Sequence, residues 1–170
     1  MAYPLASSDF SSTNRESQGG NNLRILVGGS SGLIGSQLCR YLGRIGHEVR
    51  KLVRHPPGPT GDEIQWDPSS GRLNADDLTE FDAFINLSGE NIAGGRWTES
   101  VRRRIRDSRV DSTRLLADAL IRLQARPRIL IVASAIGYYG DRGDEVLTED
   151  SRIGSGFLPD VCQEWEAAAD

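Results

Sequence analysis

The chain has 170 residues, a formal net charge of −4 at pH 7 and a hydrophobic fraction of 38%. This length fits one domain or part of one, since domains commonly span about 100–200 residues. The acidic balance argues against a chain built mainly to hold nucleic acid, and no apolar run approaches the ~20 residues of a membrane-spanning helix. The two cysteines show no metal-ligand spacing and favour a reducing compartment, so we expect a cytoplasmic protein without a metal site.

The first 22 residues are rich in Ser, Asn and Gly and show no hydrophobic periodicity. Such a segment cannot bury enough apolar surface to offset the entropy of ordering, so residues 1–22 predict a disordered extension. The segment lacks the basic start, apolar centre and small-residue cleavage site of a secretory signal. A mitochondrial presequence would be richer in arginine and free of acids, whereas this segment contains Asp9, Glu16 and only Arg15.

From residue 23 onwards, strand-like apolar runs alternate with helix-like stripes. The first run, LRILV, ends at a glycine, and apolar residues at helical spacing then continue to Gly46. The later elements follow in chain order: strands over 48–54, 64–66 and 81–87, a long helix over about 97–124, and a fifth strand over 128–134. Because the fifth run is nearly all apolar, it predicts a strand covered on both faces. The alternation predicts an α/β fold over residues 23–170, a doubly wound parallel sheet of Rossmann type.

The stretch GGSSGLIG lies between the first strand and the first helix, where Gly29, Gly32 and Gly35 form G-x-x-G-x-x-G. In a dinucleotide-binding turn the first glycine allows the tight turn, the second lets the backbone approach a pyrophosphate, and the third lets helix and strand pack closely. The amides at the start of the helix then face the phosphates. The flanking elements favour this interpretation over a flexible turn that only packs tightly. We therefore predict cofactor contacts from consecutive residues of the turn: Gly29, Ser30, Ser31, Gly32, Leu33 and Ile34.

The end of the second strand distinguishes the two nicotinamide cofactors. An NAD-binding unit places Asp or Glu there, about 20 residues past the glycines, to hold the ribose 2′-hydroxyl. Here Arg54 follows Val53. A guanidinium suits a 2′-phosphate because it is always charged and donates paired hydrogen bonds. The sequence therefore predicts that NADP(H) is preferred over NAD(H); the alternative is a solvated arginine at the start of a loop.

Five separated segments resemble, in the same order, the epimerase-family proteins of the YfcH-like group. They are GGSSGLIG, LVR, NLSGENIAGGRWTESVRRRIRDSRVDST, ASAIGYYGD and CQEWE. That group comprises atypical members of the extended short-chain dehydrogenase/reductase superfamily, often labelled predicted nucleoside-diphosphate-sugar epimerases. The resemblance implies an NADP(H)-binding oxidoreductase or epimerase that acts on a small polar or nucleotide-sugar-like substrate. Family members run well beyond 170 residues, and DVCQEWEAAAD looks like an unfinished helix, so we expect a C-terminal substrate region outside this sequence.

The resemblance also implies roles for residues that follow the later strands. Residues at the end of the fourth strand line the ribose side of the cofactor: Asn86, Leu87, Ser88 and Gly89. Residues at the end of the fifth strand lie near the nicotinamide: Ala133, Ser134 and Ala135. The superfamily's Tyr-x-x-x-Lys pair is missing, because Arg142 follows Tyr138 at that spacing, and the helix that normally carries the pair offers Cys162 and Glu166. We therefore predict that Ser134, Tyr138 and Cys162 handle protons, by a mechanism other than the usual tyrosine–lysine relay.

Two other interpretations stay open. A non-catalytic sensor or scaffold without the tyrosine–lysine pair would respond to NADP(H) by changing its partners. The five arginines between residues 102 and 109 could bind nucleic acid, but no aromatic residues alternate with them, so a solvated helix face is favoured. The resemblance places this segment beside the pocket, where Arg106 or Arg109 would meet a substrate's phosphate or carboxylate. We expect a small-molecule substrate and neither a nucleic-acid nor a membrane partner, and leave a homodimer open.

A smaller expectation concerns the last helix. The segment TEDS over residues 148–151 has the residue types of a helix N-cap and is predicted to begin that helix.

Overall fold

A computed structural model describes residues 22–170, so the predicted extension lies outside the described residues apart from Asn22. The strands are β1 Arg24–Gly28, β2 Glu48–Val53, β3 Glu63–Asp67, β4 Arg72–Leu73, β5 Ala83–Asn86 and β6 Ile129–Val132. The helices are α1 Leu33–Arg44, α2 Glu99–Ile121 and α3 Phe157–Ala167, with short 3-10 turns at Ala75–Leu78 and Ile136–Tyr139. The strands form one sheet in the order β4-β3-β2-β1-β5-β6, parallel except for the β3–β4 pair. The predicted doubly wound Rossmann-type fold is confirmed.

The central strand β1 is buried on both faces of the sheet. Leu26 packs in a cluster with Leu116 of α2, whereas Ile25 and Val27 pack against Leu38 of α1 on the opposite face. Since successive side chains of a strand point to opposite faces, the continuous apolar run of β1 places helices on both sides of the sheet.

Helix α2 begins with a side-chain cap and carries a long apolar stripe. Thr98 Oγ1 accepts a hydrogen bond from the Val101 amide at 3.4 Å. Ile105, Val110 and Leu116 are fully buried on the inner side of the helix. This buried side packs against the sheet, and the middle of α2 meets the carboxyl end of β5, where Asn86 bonds to Ser112 and Thr113.

The structure corrects two expectations and adds one strand. In β6, Ile129 and Ile131 are 50% and 49% exposed, because β6 is the edge strand and α1 packs over β1 and β2 on that face. The prediction of a strand covered on both faces is therefore wrong for the described residues. The short antiparallel strand β4 was not predicted. The TEDS segment closes a turn of its own, with the Ser151 amide bonded to the Thr148 carbonyl, and α3 begins after Gly156 instead.

Within residues 22–170, no helix combines the length and apolar character needed to cross a membrane. The same part of the chain contains no group of three or more His, Cys, Asp or Glu side chains placed to hold a metal ion.

Candidate functional site

The carboxyl ends of four parallel strands lie in one row. Gly28 of β1 is opposite Leu52 of β2 on one side and Asn86 of β5 on the other, and Asn86 is opposite Val132 of β6. The site residues predicted after each of these strands therefore emerge at the same edge of the sheet. Ligands of open α/β sheets bind at this edge.

The glycine-rich turn brings backbone against backbone at two places. Gly29 has φ +74°, and a Cβ there would lie 2.5 Å from the Leu87 carbonyl group. A Cβ on Gly35 would lie 2.2 Å from the Gly29 carbonyl oxygen. Only glycine fits these positions, because the first needs a left-handed conformation and both leave no room for a side chain. The turn is thereby held between α1 and the loop that follows β5.

The start of α1 presents bare backbone amides. Its N-cap is Gly32, which makes no side-chain cap hydrogen bond, and no acidic residue lies in the first turn. Leu33 and Ile34 are 86% and 70% exposed, so their side chains do not cover the helix end. An uncapped helix start carries a partial positive charge and unsatisfied N–H groups, which suit a diphosphate. The six predicted turn residues, Gly29 to Ile34, thus lie together at this uncapped helix start.

The loop after β5 is anchored by a buried amide. Asn86 is fully buried; its Nδ2 donates to Ser112 Oγ at 3.2 Å and to Thr113 Oγ1 at 3.1 Å. Its Oδ1 accepts from the Ser88 amide at 3.1 Å. The Asn86 side chain is therefore committed to protein partners, and it shapes the loop that carries Leu87, Ser88 and Gly89.

Arg54 lies exposed directly after β2, where the second-strand prediction placed it. In the part of the chain that the structure describes, no carboxylate lies within ion-pair distance of its guanidinium. The loop that follows is tied back by Lys51 Nζ, which donates to Asp62 Oδ2 at 2.7 Å. That hydrogen bond, together with one from the Thr60 hydroxyl, lowers the pKa of the Asp62 carboxyl to about 2. The Arg54 side chain is thus free to meet an anionic group at the edge of the sheet.

A pocket of about 440 Å³ lies at the end of β6, lined by Ser134, Tyr138, Tyr139, Glu149 and Glu166 among others. Ser134 Oγ donates to Glu166 Oε1 at 2.5 Å. The two tyrosine rings meet edge to face, with their centroids 5.2 Å apart. The structure therefore brings Ser134 and Tyr138 into one cavity and adds a carboxylate that the predicted proton-handling set left out.

Cys162 lies beneath that pocket rather than in its lining. The thiol is buried, and Sγ lies 3.8 Å from the Ala135 carbonyl oxygen. Burial raises the pKa of the Cys162 thiol, so the sulfur is held as the neutral SH group near neutral pH. Nearby, the Ala133 amide donates to the Asn86 carbonyl at 3.1 Å, which ties the end of β6 to the end of β5.

Most arginines of the run on α2 are paired with acids. Arg103 pairs with Glu99 at 3.3 Å and Arg104 with Glu90 at 3.5 Å. Arg106 Nη2 lies 2.6 Å from Glu164 of α3. Arg109 instead turns inward to backbone carbonyls and Trp165. The family resemblance implies that Arg106 or Arg109 binds an anionic group of the substrate. In the structure, both guanidinium groups are bound to other groups of the protein.

The sequence profile described as the NAD dependent epimerase/dehydratase family matches residues 25–156. An epimerase family protein of Mycobacterium leprae is 41% identical over 144 residues, which is 85% of this chain and 46% of that protein. The chain thus spans about half the length of the curated relatives it matches.

Several solved structures resemble the fold of this chain. A nucleoside-diphosphate sugar epimerase from Corynebacterium glutamicum superposes with a TM-score of 0.73 at 39% identity, covering 87% of this chain and 30% of that one. Human epimerase family protein SDR39U1, solved with NADPH, has a TM-score of 0.74 at 34% identity, covering 87% and 49%. MoeE5, in complex with UDP-glucose and NAD, has a TM-score of 0.69 at 29% identity, covering 86% and 48%. Both forms of the cofactor thus occur among the neighbours, NADPH in the human protein and NAD in MoeE5.

Proposed function

The chain belongs to the NAD-dependent epimerase/dehydratase family, and on that premise we propose that its glycine-rich turn binds NADP(H) in preference to NAD(H). The observation that carries this preference is the exposed Arg54, which follows β2 without an ion-pair partner among the described residues. An acidic residue at this place would hold a ribose 2′-hydroxyl and repel a 2′-phosphate. A guanidinium attracts the phosphate and donates two parallel hydrogen bonds to it.

Titration of the protein with NADPH and NADH tests the preference. A hydrogen bond to a charged group contributes about 1.5–3 kcal/mol, so Arg54→Ala should weaken NADPH binding by roughly ten- to a hundredfold. NADH binding should change little, because NADH lacks the 2′-phosphate. Arg122→Ala, at the far end of α2, removes the same charge and serves as the control. If Arg54→Ala weakens the binding of NADPH and of NADH equally, Arg54 does not bind the 2′-phosphate.

We further propose redox or epimerisation chemistry on a small polar substrate that resembles a nucleotide sugar. One neighbour is a nucleoside-diphosphate sugar epimerase, and another was solved with UDP-glucose. When bound, the nicotinamide cofactor supplies or accepts a hydride. The chain's own part is proton handling in the pocket after β6. A proton that leaves a substrate hydroxyl for Ser134 Oγ has the Glu166 carboxylate as its next acceptor, 2.5 Å away.

Turnover by a longer form of the protein tests this chemistry. A panel of nucleotide sugars and small carbonyl compounds, each assayed with NADP+ and with NADPH, should include one that changes the redox state of the cofactor or is converted to its epimer. Ser134→Ala should abolish that reaction and leave the NADPH dissociation constant unchanged, because the pocket holds the substrate and not the diphosphate. Undiminished turnover in Ser134→Ala would remove Ser134 from the chemistry.

A second candidate function is that of a sensor that binds NADP(H) without turnover. The observation that favours it is the replacement of the tyrosine–lysine pair by the buried Cys162 and by Glu166 at the same spacing. A buried neutral thiol does not reproduce a tyrosine whose pKa is brought toward the working pH. Tight NADPH binding without consumption of any panel substrate, together with a protein partner whose affinity changes with NADPH, would establish the sensor.

A further inference from the structure

We propose that Arg109 is a positioning residue: it holds the loop after β5 in the shape that receives the dinucleotide, and it couples that loop to the docking of α3. The inference rests on the proposed function for the identity of the ligand. The contacts that support it are made by Arg109 and do not involve the glycine-rich motif or the end of β2.

The guanidinium of Arg109 lies directly on the backbone of the loop. Nη2 donates to the Glu90 carbonyl at 3.1 Å, while Nη1 donates to the Ile105 carbonyl within α2 at 2.9 Å. A Cβ on Gly89 would lie 3.1 Å from Arg109 Cζ, so the guanidinium packs closely against the backbone at Gly89. The neighbouring Ser108 Oγ accepts from the Glu90 amide at 2.9 Å. Two consecutive residues of α2 thereby hold both polar backbone groups of Glu90.

The charge of Arg109 has no carboxylate partner within 4 Å among residues 22–170, whereas Arg103, Arg104 and Arg106 each have one. Burial lowers the pKa of the half-buried Arg109, although a guanidinium remains charged near neutral pH. An isolated, partly desolvated cation is unfavourable unless its donors are used. The planar guanidinium uses them by bridging two carbonyls while one face lies over the Trp165 ring, 5.3 Å from its centroid.

Trp165 links the same loop to α3. Its Nε1 donates to Thr113 Oγ1 at 3.0 Å, and that hydroxyl oxygen also accepts from Asn86 Nδ2 at 3.1 Å. The indole therefore contacts α2 through Thr113 and Arg109, the two residues that hold opposite ends of the loop from Asn86 to Glu90. Loss of the Arg109 contact should loosen the loop and change the surroundings of Trp165 together.

The test compares Arg109→Met with Arg103→Met in the full chain. Methionine keeps an apolar stem against Trp165 and removes the charge and the donors; the Arg103 control makes the same change on an exposed face of the same helix. We expect Arg109→Met to bind NADPH and NADH about tenfold more weakly, with their affinity ratio unchanged, since both cofactors use the loop. Hydrogen exchange at the amides of residues 87–90 should accelerate, and the fluorescence of Trp165 should shift. Arg109→Lys should recover part of the affinity because it keeps the charge and one donor.

Nucleotide affinities within twofold of the unmodified protein, together with unchanged exchange at residues 87–90, would overturn the proposal. If Arg109→Met does not fold, Arg109→Gln decides, because it keeps a polar side chain and removes the charge and the paired donors that reach the Ile105 and Glu90 carbonyls. In that variant, hydrogen exchange at the Glu90 amide should be faster and the affinities for NADPH and NADH should be lower. Unchanged exchange and unchanged affinities would overturn the proposal. If the unmodified protein binds neither nucleotide, the proposed function fails, whereas the exchange and fluorescence results still decide whether Arg109 holds the loop.

Discussion

Two glycines of α1 offer a test of why the turn is built as it is. A Cβ at Gly35 would lie 2.2 Å from the Gly29 carbonyl oxygen, whereas a Cβ at Gly43 would meet nothing within 4 Å. Both residues are helical, and the same substitution to alanine should therefore have opposite effects. Gly43→Ala should stabilise the protein, because glycine in a helix costs roughly 0.5–1 kcal/mol relative to alanine.

Gly35→Ala gains the same helix propensity but must push α1 away from the turn. Overpacking of a filled site costs typically about 1–3 kcal/mol, and here the obstacle is backbone that cannot rotate aside. With a urea dependence of about 1–3 kcal/mol/M, the unfolding midpoint should fall by roughly 0.5–1 M for Gly35→Ala and rise by a few tenths of a molar for Gly43→Ala. Circular dichroism in urea measures both midpoints.

The same pair separates packing from cofactor binding. Gly35→Ala should also weaken NADPH binding, since the displaced Gly29 carbonyl belongs to the turn that we propose receives the diphosphate. Gly43→Ala should leave binding unchanged. If Gly35→Ala is as stable as the unmodified chain, or if both variants shift the midpoint in the same direction, the close approach of α1 to the turn is not what requires glycine.

Three further predictions concern other contacts. Thr113→Val removes the acceptor of two buried side-chain donors and should lower the free energy of unfolding by about 1–3 kcal/mol; an unchanged urea midpoint would contradict this. Hydrogen bonds from Lys51 and Thr60 lower the pKa of Asp62 to about 2 from an ordinary value of 3.8, so the Lys51–Asp62 pair and its Thr60 contact stabilise the fold above pH 3.8 and lose that contribution as the pH falls toward 2. The pair is partly exposed, so Asp62→Asn should remove only about 0.2–1 kcal/mol at pH 7 and flatten this part of the pH–stability curve. Because burial raises the pKa of Cys162, its alkylation at pH 8 should be slow and should accelerate only where urea unfolds the chain. Labelling of Cys162 in the native protein at the rate of a free thiol would contradict this prediction. Mass spectrometry of the Cys162→Ser variant identifies which cysteine is labelled.

The unit from β1 to β2 follows closely from the sequence, because its signals are local. An apolar run, a glycine-rich turn, a helical stripe and Gly46 stand next to one another, and β2 ends at Val53 where the sequence predicted residue 54. The exposed face of β6 could not be predicted in this way. An apolar run shows that a strand is suited to burial, but its coverage depends on where distant helices pack. Similarly, β4 has only two residues, too few for any periodic pattern.

In the candidate site, too, features that depend on local sequence could be predicted, whereas features that depend on distant contacts could not. The left-handed conformation that favours glycine at residue 29 arises within one turn of chain and is visible in the motif, whereas the close approach of Leu87 to the same residue is not. Arg109 and Trp165 are different, because their decisive partners lie 19 and 52 residues away along the chain. Asn86 shows a further limit: the resemblance assigned it to the cofactor, but residue type alone does not say where a side chain points. The structure shows that its amide is used within the protein.

One sequence signal for the loop's support was nevertheless present in α2. Ser108 and Ser112, like Arg109 and Thr113, are four residues apart, so these polar side chains share the inward side of a helix whose remaining inward residues are apolar. An apolar side chain at any of these positions would remove one of the hydrogen bonds that hold the buried Asn86 amide or the Glu90 backbone. Buried polar groups need hydrogen bonds. Polar residues within the buried stripe therefore indicate that α2 packs there against polar groups of another segment. In this doubly wound sheet, that segment is the loop after β5, at the edge where ligands bind.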